Sequence, residues 1–349
     1  MMITNEKKNE SIIVTRYGGP EVLQIIQSPM PTPGYGEVRI KVKAIGVALA
    51  DSMRREGVYP GTPKTPFTPG YDIIGEIDAV GDGVSKSRLG TLVAAMTQGT
   101  GGYTRNICVQ ESEAIEVPSG VNVGEAVALV LNYVTAYQML NRIVSIETNG
   151  RILIHGASGG VGTALLDLGR LYGLNMYGTA SAHKHAALAE YGAKLIDYKQ
   201  DDFVKVIGQE APHGIDAVFD PIGQENWERS KQVLKAGGIL VGYGFTSILE
   251  DQQPSQDKIQ EVAGQWMQLS EPGSQSESVQ TIAFSTTGAK QQKPDHFRTD
   301  LTELFDLLSR GKIKPLISRM FDFSEAGLAH ELVKRQSAIG KIVLLSQEE

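Results

Sequence analysis

Arg151-Ile-Leu-Ile-His-Gly-Ala-Ser-Gly-Gly-Val-Gly162 reads as a buried strand, a glycine-rich turn and the start of a helix. Ile152, Leu153 and Ile154 supply the apolar strand. Ala157, Gly159 and Gly162 take the three small-residue positions of a G-x-G-x-x-G fingerprint. The first fits a tight turn, the second lets backbone approach a pyrophosphate, and the third lets helix pack on strand. Ser158, Gly159, Gly160, Val161 and Gly162 are therefore candidate cofactor-binding residues. They open a helix whose free N–H groups and dipole favour phosphate. Val161, Ala164, Leu165, Leu168 and Tyr172 follow at the spacing of one apolar helix face.

The next strand, Leu174-Asn-Met-Tyr-Gly-Thr-Ala180, narrows the choice of dinucleotide. About 20 residues past the glycine turn an NAD site places Asp or Glu against the ribose hydroxyls. Here the tip is Ala180-Ser-Ala-His-Lys184, without a carboxylate and with a cation. Ser181 and Lys184 would welcome a 2′-phosphate through charge-assisted hydrogen bonds, so NADPH is expected over NADH. Tyr198, at the end of the strand Lys194-Leu-Ile-Asp-Tyr198, could cover the adenosine ribose from the other side.

The 349 residues suffice for two domains, and 41% apolar with 21% charged residues suits a globular chain. A net charge of −7 without a basic patch argues against nucleic acid. The lone Cys108 excludes an internal disulfide and fits a reducing compartment. The first ten residues lack the apolar core of a signal peptide, and the apolar run Ala126 to Leu140 is too short to span a bilayer. Cytoplasmic residence follows by default.

Residues 11 to about 125 are β-rich, with Val38-Arg-Ile-Lys-Val-Lys43 alternating as a half-buried strand does. Beyond residue 130 strands and helices alternate. Ile215–Asp220, Gly238–Gly242 and Ile282–Ser285 read as fourth, fifth and sixth strands of a parallel doubly wound sheet. The expected organisation is a β-rich substrate domain of residues 1–125 and 291–349 around a Rossmann domain of residues 126–290, with Lys341-Ile-Val-Leu-Leu345 closing back onto the former. The polar interval Glu250 to Gln280 holds Ile259, Val262, Trp266 and Leu269 at helical spacing. A surface helix packed by its tryptophan is the simplest reading. A lid, a dimer contact and a membrane-surface helix remain open.

These motifs resemble the zinc-independent quinone oxidoreductase branch of the medium-chain dehydrogenase/reductases. The resemblance runs through Gly36–Ala44, Thr68–Gly75, Asn132–Tyr137, the glycine turn, Gly214–Asp220 and Ile339–Leu344. Gly178–His185 and Lys312–Pro315 are most similar to the vesicle amine transport protein-like group. The resemblance implies a GroES-like β domain, a Rossmann domain, NADPH and a homodimer. It also implies a metal-free protein, since zinc alcohol dehydrogenases carry Cys where this chain has Ala48 and His where it has Tyr71. By the same resemblance Thr135, Tyr243, Gly244, Phe245 and Lys341 neighbour the nicotinamide.

Hydride transfer without a Lewis acid suits quinones and α,β-unsaturated carbonyls, whose added charge delocalises onto oxygen. Many relatives have Asn at the place of Ala48 and Tyr at that of Met53, so two polar contacts to a carbonyl are missing. Tyr59 and Tyr71 remain as candidate donors, and no catalytic acid is identified. Asp51 would qualify only if burial raised its pKa. Two alternatives stand beside the quinone or enone reductase: an enoyl-thioester or alkenal reductase, and an NADPH-binding protein that acts through partner or membrane-surface contacts.

Overall fold

The computed structural model describes residues 8–251, 254–271 and 278–346. Residues 1–7, read above for a signal peptide, and 252–253 and 272–277 of the polar interval lie outside the described residues. The chain divides into two compact units, residues 1–131 with 298–349 (unit 1) and residues 132–297 (unit 2).

In unit 1 the alternating segment becomes the strand Glu37–Val47, with Val38, Ile40 and Val42 at most 1% exposed. It pairs antiparallel with Asp72–Val80, with Asn106–Gln110 and with the C-terminal strand Lys341–Leu345. Ile317–Asp322, Leu92–Met96 and Ile115–Glu116 complete a seven-stranded sheet, and Lys8–Val14 forms a hairpin with Leu23–Pro29. The inward side chains, among them Ile45, Ile73, Ile77, Phe321 and Leu344, form one core. The helix Leu49–Glu56 ends at Gly57, whose φ of +76° is left-handed and suits glycine. It packs against the helix Ala326–Lys334.

Unit 2 is a sheet of six parallel strands: Arg151–Ile154, Asn175–Thr179, Lys194–Ile196, Ile215–Asp220, Leu234–Gly242 and Val279–Ala283. Numbered in this order they run 3-2-1-4-5-6 across the sheet, the doubly wound order that reverses between strands 1 and 4. Two expectations need correcting. The sixth strand starts at Val279, because its ladder with Gly238–Gly242 begins there and the Ser285 side chain instead caps the helix Thr286–Gln292. The helix Gly160–Leu171 is buried on more than one face, from Gly162 through Gly169. The reason is a second covering layer: Tyr133 donates to the buried Asp167 carboxylate at 2.8 Å.

The polar interval contains the helix Gln256–Gln268, started by the Ser255 side chain accepting from the Lys258 N–H. Ile259, Val262 and Leu269 are buried, and the Trp266 indole donates to the Gly242 carbonyl at 2.8 Å. The tryptophan thus packs its helix onto the end of strand 5. Among the described residues no helix is long and apolar enough to cross a membrane.

Candidate functional site

In unit 2 the left-handed residue of the glycine turn is Gly156, with φ +62°, one residue before the Ala157 expected to make it. Ala157 is fully buried, and a Cβ on Gly178 would meet its methyl at 2.9 Å, so the turn approaches strand 2 closely here. A Cβ on Gly162 would fall 2.3 Å from the Gly156 carbonyl oxygen and 2.7 Å from the Ala157 Cα, so this position admits only hydrogen. A Cβ on Gly159, by contrast, would meet only the Gly156 oxygen, at 3.3 Å, leaving room for a ligand rather than for protein. Gly160 serves a third purpose: it lets the Asn132 amide lie against the helix start, 1.8 Å from where a Cβ would stand. The N–H groups of Gly160, Val161 and Gly162 open the helix and have no intrahelical acceptor.

The loop after strand 2 folds onto this turn. Lys184 is 6% exposed and its Nζ donates to Ser158 Oγ at 3.3 Å. Ser181 Oγ donates to Tyr198 Oη at 3.1 Å, with the tyrosine ring 53% exposed beyond strand 3. Burial, then the like charge of Lys199, push Lys184 below its usual pKa. An anion at this point would relieve both effects. Ser158, Ser181, Lys184 and Tyr198 are therefore brought together. Tyr243, Gly244 and Phe245 leave the end of strand 5, where burial and the Asp220 carboxylate push the Tyr243 phenol up. Phe245 meets Trp266 edge-on at 6.2 Å. Thr135, 6% exposed, shares a hydrogen bond of 2.5 Å with Thr286.

Lys341 belongs to unit 1. It is buried there with Nζ 2.7 Å from the equally buried Asp72 carboxylate. Gly46 makes the pair possible, because a Cβ would stand 2.0 Å from Asp72 Oδ2 and 2.5 Å from Lys341 Cε. Asp51 lies nearby and is wholly buried on the first turn of Leu49–Glu56. It accepts from the Ala48 N–H at 2.9 Å, the Gly70 N–H at 3.1 Å and Tyr103 Oη at 3.4 Å. Tyr103 Oη lies 3.0 Å from His330 Nε2, and Ser52 Oγ lies 3.2 Å from His330 Nδ1. A neutral His330 protonated on Nε2 satisfies the whole series, from Ser52 through His330 and Tyr103 to Asp51.

Burial, reinforced by the Asp72 carboxylate, pushes Asp51 up to about 7, against the pull of the Ala48 N–H, Lys341 and Arg54. Burial also lowers His330 to about 3. Tyr59 and Tyr71 come together around Arg54. Its guanidinium carbon is 4.6 Å from the Tyr59 ring centroid and 5.6 Å from that of Tyr71. Arg54 Nε donates to Tyr71 Oη at 3.1 Å. Ala48 is the N-cap of this helix, and Met53 is buried at 3% exposure. Among the described residues no group of three or more His, Cys, Asp or Glu side chains is placed to hold a metal.

The alcohol dehydrogenase GroES-like domain family matches residues 34–130 and the zinc-binding dehydrogenase family residues 191–344. The synaptic vesicle membrane protein VAT-1 homolog of Rattus norvegicus is 31% identical over 343 residues, 97% of this chain and 84% of that protein. The chain belongs to the medium-chain dehydrogenase/reductase superfamily, in its zinc-independent quinone oxidoreductase branch. Within the superfamily, a quinone oxidoreductase of Pseudomonas aeruginosa is 30% identical, covering 94% of this chain and 97% of its own length. The crystal structure of Escherichia coli quinone oxidoreductase complexed with NADPH superposes with a TM-score of 0.83 at 25% identity, covering 96% of this chain and 99% of that one.

Sequence reasoning missed Gly46, Arg54, Asp72, Tyr103 and His330. For Asp72 a signal existed: a carboxylate opening the apolar strand Asp72-Ile-Ile-Gly needs a buried cation, and Lys341 opens an equally apolar strand. Nothing local marks Tyr103 or His330, whose partners lie 52 and 227 or more residues away along the chain.

Proposed function

We propose that this protein is an NADPH-dependent reductase that passes hydride to quinones or α,β-unsaturated carbonyls. The observation that carries the reading is the cradle at the reversal of the parallel sheet. A helix N-terminus opens behind Gly159, and Ser158, Ser181, Lys184 and Tyr198 cluster beside it. Backbone N–H groups suit the pyrophosphate, and Lys184 with Ser181 would hold the 2′-phosphate. When bound, NADPH supplies the hydride. The side chains around it bind, orient and exclude water. In unit 1, burial pushes Asp51 up to about 7, where a carboxyl group can hold or release a proton near neutral pH. Lys341 lies against a second buried carboxylate, Asp72, and opposes the upward push of burial on it.

The test is NADPH oxidation by purified protein with ortho-quinones, para-quinones and enals, and with NADH in parallel. Saturable turnover that prefers NADPH supports the reading. Tight NADPH binding with no turnover on any acceptor would replace it with the binding-protein alternative. We also propose a homodimer, since among the described residues strand 6 ends the sheet order with one edge unpaired. Light scattering of the eluting protein measures this directly.

A further inference from the structure

Two arginines stand side by side on the helix Leu49–Glu56, and their surroundings differ. Arg55 is fully buried against a carboxylate, although its Nη1 has no hydrogen-bond partner among the described residues. It meets the Glu56 carboxylate, which also holds Lys334 at 2.9 Å, and its Nε donates to the Gly18 carbonyl at 3.0 Å. Arg54 is 8% exposed, and no described carboxylate lies within 4.0 Å of it. Its acceptors are neutral: Tyr71 Oη and, from Nη1, the Gly61 carbonyl at 3.3 Å. Nη2 donates to none of the described residues.

A guanidinium removed from water with no carboxylate in contact is costly, and neutral acceptors together with the more distant Asp51 offset only part of the loss. The aromatic faces of Tyr59 and Tyr71 help but do not cancel the charge. Gly99, with φ +88°, holds this arrangement tight, since a Cβ there would strike the Tyr71 ring at 2.7 Å. Arg54 thus presents a fixed planar fork, with Nη2 unengaged by the described residues, between two rings, a shape that matches a planar conjugated anion.

We propose that Arg54, held by Tyr59 and Tyr71, is a specificity-determining residue that selects an acceptor carrying a carboxylate on its conjugated framework. The proposal rests on reading the protein as a reductase of conjugated carbonyls. Arg54 grips the carboxylate through Nη2 and the remaining N–H of Nη1, and the rings set the plane of the framework. It takes no part in bond making.

The experiment compares trans-3-benzoylacrylate with its methyl ester, an enone pair that differs in one charge, using NADPH and the full chain. Arg54→Met should lower kcat/KM for the acid about tenfold or more, chiefly through KM, and change the ester by less than about threefold. Arg54→Lys, which keeps the charge without the fork, should recover part of the loss. NADPH affinity, titrated by fluorescence, should stay unchanged. Equal losses on acid and ester, or no loss, would overturn the proposal. Weakened NADPH binding would overturn it too, by making Arg54 a cofactor ligand.

A second arm does not depend on turnover. Saturation-transfer NMR should show that the protein prefers cinnamate to cinnamamide, and that Arg54→Met abolishes the preference. If neither benzoylacrylate compound is reduced, the reductase reading fails, and the cinnamate comparison still judges Arg54. Equal binding of acid and amide, or no binding, overturns its role. Should Arg54→Met not fold, Arg54→Gln, which keeps a donor toward Tyr71, carries both comparisons.

Discussion

The cradle of unit 2 and the polar cluster of unit 1 are built in opposite ways. The cradle is largely backbone: a left-handed turn at Gly156, a hydrogen-only contact at Gly162 and open space at Gly159. Ser158, Ser181, Lys184 and Tyr198 finish it. The cluster of unit 1 is mainly side chain, assembled from Asp51, Asp72, Tyr103, His330 and Lys341 on five separated pieces of chain, with backbone N–H groups reaching Asp51. A backbone site tolerates change in its surroundings and fails at single glycines. A side-chain site fails wherever a buried charge loses its partner.

The largest effect should come from Lys341→Met. Removing one partner of a buried ion pair costs about 3–5 kcal/mol, and the Asp72→Asn/Lys341→Met double variant should recover most of it in urea unfolding. If Lys341→Met kept its stability and lost NADPH affinity instead, Lys341 would belong with the cofactor residues and the contrast would break. Gly162→Val should cost about 3 kcal/mol in thermal unfolding, because the clash is with backbone that cannot yield. Gly159→Ala should keep the melting temperature within a few degrees yet weaken NADPH binding at least about tenfold, a split that fluorescence titration reads. Lys184→Ala should raise the NADPH dissociation constant about tenfold and leave that for NADH unchanged.

The last effect is a change of slope with pH. Asp51 rises from 3.8 to about 7 on folding, so its contribution to stability is present below 3.8 and is lost as pH rises through about 7. His330 falls from 6.5 to about 3, so its contribution is present above 6.5 and is lost as pH falls through about 3. The two oppose each other across the interval they share. Asp51→Asn removes one side of that opposition, so the melting temperature should climb toward pH 6.5 and then level, where the parent's stays flat from about pH 4 and declines as pH rises through about 7. A decline that persists in the variant would assign it to another group.

The doubly wound sheet was legible because its signals are contiguous: an apolar strand, a glycine turn and a helix within one dozen residues. Ser181, Lys184 and Tyr198 could be read for the same reason, since strand order alone carries each to its neighbour. The side-chain cluster was not, because Tyr103 and His330 meet Asp51 only once the sheet and the helix Ala326–Lys334 are packed. Nor could periodicity separate Arg54 from Arg55. Both lie on one short helix, and only their folded partners tell them apart, Glu56 and Gly18 for Arg55 and Tyr59 and Tyr71 for Arg54. The one-faced reading of Gly160–Leu171 failed because apolar spacing cannot reveal a second covering layer.

The seven-stranded sheet has a consequence for synthesis. Its centre, Glu37–Val47, waits for an antiparallel neighbour that begins at Lys341, so the ribosome must release nearly the whole chain before that edge can close. Until then Asp72 has no cation and Tyr103 no imidazole. Every strand of the parallel sheet, by contrast, has emerged by residue 283. The later half of the molecule can therefore be finished while the earlier half is still open. A nascent chain stalled near residue 300 would expose an incomplete β-sheet while its α/β unit is already mature, and would be the form most in need of a chaperone.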